Sequence, residues 1–219
     1  MLRFAAKVLS VIFHPLLMVT YMLILLLLAN PYMFGVNSIE EQWLMIVLVF
    51  LSTFFIPMVA VVMMYALEFI KSIEMHDRMD RIIPYIAIGT FYVSTYYFHL
   101  KTPGTPVAFQ MFMLGVVISI FVAFFINNFT KISMHTVGMG GFLGMVLLTI
   151  FVFQLTEFPL QTSFGMIKVE MNTILFIVLV LCGLVGTSRL LLNAHHPSDL
   201  WGGYIVGLLG QLLAFNLVF

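Results

Sequence analysis

The sequence predicts an all-α fold, a polytopic membrane helix bundle of about seven transmembrane helices forming a single membrane domain over residues 1–219. Two observations carry this. Of its residues, 63% are hydrophobic and only 8% charged, against about 25% charged in a soluble domain. Such a chain cannot cover a water-facing surface with polar groups, so lipid must be its outer solvent. The apolar residues also come in runs close to the ~20 residues that cross a bilayer, separated by short polar stretches.

The first run, 8–29, follows Arg3 and Lys7 and ends at Asn30-Pro31. It has no small-residue cleavage site, so it reads as a spanning helix and not as a signal peptide. The second, 43–67, contains Pro57, a residue that kinks helices. Runs 82–100, 107–126 and 137–155 come next, and 156–170 reads as a loop. The last two runs, 171–187 and 200–218, are diluted by Gly183, Gly186, Gly202, Gly203 and Gly207. Glycine lets membrane helices approach closely, so these runs still read as spans. Cys182 is the one cysteine, which excludes an internal disulfide.

Alternate crossings put the N-terminus and the loops at 68–81, 127–136 and 188–199 on one face of the membrane. That face carries Arg3, Lys7, Lys71, Arg78, Arg81, Lys131 and Arg189, with all three aspartates, Asp77, Asp80 and Asp199. Of the lysines and arginines, the other face has only Lys101 and Lys168. Charges near helix ends, and none at mid-depth, argue against a transporter or channel. The absence of a basic run argues against nucleic-acid binding. The lysine and arginine count favours a cytoplasmic position for the charged face. Arg78, Arg81 and Arg189 are candidate ligands and should not be counted, which leaves both leaflets open.

The sharpest motif is Ser188-Arg189-x5-His195-x3-Asp199. On a helix, Asp199 lies one turn past His195 on the same face. A carboxylate there can hold one imidazole nitrogen and leave the other as a nucleophile. Two fainter elements precede it on the same face. One is Ile132-Ser133-Met134-His135. The other is Lys71-x6-Arg78, with Arg81-Ile82-Ile83-Pro84 as a shifted alternative.

On these motifs the chain resembles the type-2 phosphatidic acid phosphatase superfamily, membrane lipid phosphatases related to vanadium haloperoxidases. That family carries Lys-x6-Arg-Pro, Pro-Ser-Gly-His and Ser-Arg-x5-His-x3-Asp. The third is complete here, whereas Ile132 and Met134 replace the Pro and Gly of the second and Met79 the Pro of the first. The motif-bearing core would be about 68–218. The resemblance implies a metal-independent hydrolase without cofactor, acting on a lipid phosphate or diphosphate through a phosphohistidine. His195 would be the nucleophile, Asp199 its orienting group and His135 the proton donor. Arg189, Arg78, Arg81, Ser133 and Lys71 would bind the phosphate, a role that suits arginine forks.

Candidate substrates are phosphatidic acid, phosphatidylglycerol phosphate, polyprenyl diphosphate and lipid A phosphate, and the residues do not separate them. A lipid phosphotransferase, or a non-catalytic binding or assembly protein that keeps the fold, is the alternative. Membrane lipids are the expected surroundings and a bacterial inner membrane the expected location. Nothing in the sequence fixes an oligomeric state. His196 reads as a neighbour outside the motif register, His14 near the charged face as a packing residue before an edge of a lipid entrance, and His76 as a loop residue.

Overall fold

The computed structural model describes residues 1–75, 77–162 and 165–219, and His76 lies outside them. The chain is 76% helical with one small two-stranded sheet, the expected polytopic α bundle. In order the elements are α1 (Leu2–Ile12), α2 (Met18–Ala29), α3 (Trp43–Phe50), α4 (Ile56–Ala66), α5 (Ile82–Lys101), α6 (Val107–Asn127), α7 (Met134–Phe151), β1 (Glu157–Thr162), β2 (Gly165–Glu170), α8 (Met171–Leu191) and α9 (Pro197–Val218).

Among the described residues, six helical stretches are long and apolar enough to cross a membrane, counting α1 with α2 and α3 with α4 as single stretches. The seventh expected span, α5, is 20 residues long. It is less apolar because Tyr85, Tyr92, Thr95 and His99 are buried on its inner face. Outward faces carry bulky apolar side chains such as Leu44, Val59, Phe176, Ile205 and Leu209. Apolar surface on this scale suits lipid, not water, and the protein is a multi-pass membrane protein.

Two prolines break expected spans, and each break frees a carbonyl. The first run is divided at His14-Pro15, where α1 ends and a short 3₁₀ turn, Pro15–Leu17, leads into α2. His14 is extended, and its N–H turns back to the Val11 carbonyl (3.3 Å). A continuing α-helix would have sent that N–H to Ser10. In the second run a π turn, Leu51–Phe55, joins α3 to α4 just before Pro57. Pro57 has no N–H for the Thr53 carbonyl, which instead accepts the Tyr92 hydroxyl at 3.1 Å.

The expected loop at 156–170 is a correction. It is an antiparallel hairpin pairing Glu157 with Glu170 and Leu160 with Ile167, with an exposed Lys168–Glu157 ion pair at 2.8 Å. Phe158, nearly inaccessible, and Val169 pack it against the bundle core.

The most intimate packing is between α7 and α9. A side chain on Gly207 would overlap the Val137 carbonyl and the Gly141 amide, so this crossing requires a glycine. The contact places the start of α9 over the start of α7, where the Ser133 N–H donates to the Asp199 carbonyl at 3.2 Å.

Candidate active site

The loop after α8 ends at His196, the N-cap of α9, with Pro197 at the first helical position. The cap is reciprocal. The His196 side chain accepts from the Asp199 N–H, and the Asp199 carboxylate accepts from the His196 N–H at 3.1 Å. The same Oδ2 accepts from His195 Nδ1 at 3.2 Å. Asp199 is thereby fixed by its own helix start before it touches His195. Both side chains are buried, and Nε2 of His195 is left as the lone-pair nitrogen. Burial, then the nearby Arg81 guanidinium, hold the His195 imidazole well down, at about 4, against the opposing pull of Asp199. It is neutral at pH 7, as a nucleophile must be.

A cavity of about 250 Å³ opens at this point. Its charged end is lined by His195, Arg189, Arg81, His135, His14 and the carboxylate of Glu74, and its walls run down between helices to Gln211. Gln211 lies twelve residues beyond Asp199 on α9, about 18 Å deeper at 1.5 Å per residue. Of the wall residues, Met58 and Val62 on α4 are also exposed on the outside of the bundle, which puts one edge of the cavity at a surface suited to lipid.

The arginines divide. Arg81 donates from Nε to the Met75 carbonyl (2.9 Å) and from Nη1 to the Ile132 carbonyl (3.0 Å), which fixes its fork at the cavity. Arg189 donates from Nη1 to the Ser10 hydroxyl (3.2 Å), while its buried Nε has no partner among the described residues. Glu74 lines the same cavity and interacts electrostatically with Arg189. Two guanidinium groups facing one cavity against a single carboxylate leave a net positive end that suits an anion. Arg78 is elsewhere. Its Nη1 donates to the Asn128 and Phe129 carbonyls (3.0 and 2.7 Å), where it caps the C-terminus of α6. Lys71 is exposed and does not line the cavity. Neither Asp77 nor Asp80 forms an ion pair with these arginines among the described residues. Ser133 is fully buried, and among the described residues its hydroxyl has no partner; it is not on the cavity wall.

His135 is the second residue of α7. Its Nε2 lies 3.0 Å from the Ser10 carbonyl, the one freed by the break at His14-Pro15. A carbonyl only accepts, so Nε2 carries the proton and Nδ1 is the exchangeable nitrogen.

Residues 123–219 match the family model of the PAP2 superfamily. The likeness read from the motifs is borne out over this stretch, which has a phosphatase-type fold. The PAP2 match starts within α6 and takes in α7, α8 and α9, so it includes His135, Arg189, His195 and Asp199. No curated protein and no solved structure matches the chain.

Three contributors to the site were not among the expected site residues, two of them outside the matched stretch. Ser10 binds both Arg189 and His135. His14, for which packing was the favoured expectation over an edge of the lipid entrance, lines the cavity with its ring edge-on to His135 (centroids 5.5 Å apart). Lys131, within the match, donates to the Ala194 carbonyl at 3.0 Å and adds positive potential at His195. Its parity placed it on this face, but no motif position distinguished it.

Proposed function

We propose that this chain is a membrane-embedded phosphatase that hydrolyses a lipid phosphate or diphosphate through a phosphohistidine. The observation that carries the reading is the Asp199-held, neutral His195 at the cationic end of an apolar cavity. A ligand matching that cavity has an anionic head and an apolar body. His195 Nε2 would attack phosphorus as the bond to the lipid oxygen breaks, with Arg81 and Arg189 holding the phosphoryl oxygens. His135, as the imidazolium, would give the leaving oxygen its Nδ1 proton and be left neutral, while the Ser10 carbonyl keeps the Nε2–H in place. Water would then attack the phosphohistidine, lose its proton to His135 and release phosphate. Met134 lines the cavity beside His135.

Phosphate release from a panel of lipid phosphates in detergent, without added metal, tests the reading. Wild type should release phosphate and His195→Ala should not. His196→Ala should keep most of its turnover and lose about 1 kcal/mol of stability, because its side chain is a helix cap. Equal activity in both variants would sink the assignment of the nucleophile.

A further inference from the structure

Tyr85 and Tyr92 stand on the cavity side of the same helix, with opposite accounts of their hydroxyls. The Tyr92 hydroxyl has protein partners, the Thr53 and Leu16 carbonyls at 3.1 and 3.4 Å. Tyr85 is 6% exposed, yet its hydroxyl has no partner among the described residues. Leaving a buried hydroxyl unpaired is costly, and phenylalanine would fill the same space without that cost. The ring is held against Phe124, with centroids 6.0 Å apart. Tyr85 follows Arg81 by one helical turn, lines the same cavity as Arg81 and His195, and lies within electrostatic reach of Arg81. Four residues of helix set it about 6 Å deeper than Arg81. That is the chain side of any phosphoryl group the arginine holds. It belongs to neither the matched stretch nor any of the three motifs.

We infer that Tyr85 is a substrate-binding residue whose hydroxyl donates to an acceptor oxygen in the linker between the phosphoryl group and the chain, an ester carbonyl or a hydroxyl. The position of the phosphoryl group rests on the phosphatase reading above. Tyr85 then separates lipids with an oxygen-bearing linker from those whose chain joins the phosphate directly.

The test compares wild type with Tyr85→Phe on a 1-acylglycerol 3-phosphate and an alkyl phosphate of equal chain length. Binding is read as the ligand-induced rise in melting temperature, and phosphate release is measured in parallel. Tyr85→Phe should melt higher without ligand and bind the acylglycerol phosphate about tenfold more weakly, the size of one hydrogen bond. Its affinity for the alkyl phosphate should not change, and the loss of turnover should fall on KM and not on kcat. Equal weakening for both lipids would give the hydroxyl to the phosphoryl group and overturn the inference. Unchanged binding, or a lower melting temperature without ligand, would overturn it as well. A binding contrast without phosphate release from either lipid would uphold Tyr85 and sink the phosphatase reading.

Discussion

Arg78 and Arg81 differ by three positions and were interchangeable as motif candidates. The sequence offered Lys71-x6-Arg78 by spacing and Arg81 by its nearby proline. The structure gives Arg78 to the carbonyls ending α6 and Arg81 to the cavity. Orthovanadate, which mimics five-bonded phosphorus, should therefore inhibit Arg81→Ala at least tenfold less well, the loss of a charge-assisted contact. Arg78→Ala should keep its vanadate sensitivity and melt at a lower temperature. The His195–Asp199 pairing was legible because a four-residue spacing on one helix start becomes a contact directly. The Ser10 carbonyl was not, since every residue has one and only the chain's path frees it.

The neutral state of His195 also has a reading in pH. Burial and the cations Arg81, Arg189 and Lys131 all disfavour the imidazolium, so kcat/KM should fall as pH drops through about 4. Removing a cation relieves the depression and raises the pKa. Lys131→Gln should move this acid limb upward by about half a unit to one unit, and Lys131→Arg should leave it in place. A limb unmoved in Lys131→Gln would remove Lys131 from the electrostatics of the site.

At the scale of elements, hydropathy located the helices but not their interruptions. Pro15 was in plain view, yet a proline near a helix start is as often tolerated as disruptive. That it ends α1, and so presents Ser10 to His135, depends on packing of α1 against the end of α8. Pro15→Ala should let the helix run through, returning the Ser10 carbonyl to the His14 N–H and releasing His135. We expect kcat to fall about tenfold with a smaller effect on KM, a loss in the range of general acid catalysis. An unchanged kcat would mean that His135 is oriented by other contacts. The hairpin β1–β2 went unread because its six-residue strands are short and lie among spans whose apolar signal dominates.

For the molecule as a whole, the parity of crossings was legible and placed His135, Arg189 and His195 at one end. The cavity between the helices was not, because no local pattern encodes a gap. Its edge at Met58 and Val62, 38% and 45% exposed, should admit a chain-bearing ligand sideways. Val62→Trp should lower kcat/KM for long-chain lipid phosphates about tenfold and spare a short, water-soluble phosphate. Losing both substrates equally would place entry at the polar end.

That lipid-side edge also decides what counts as substrate concentration. A ligand that never leaves the lipid phase meets the protein by diffusing in a sheet, so crowding per unit of membrane area, and not molarity, sets the encounter rate. Adding inert lipid or detergent at a fixed total amount of substrate then slows turnover simply by spreading the same molecules over more surface.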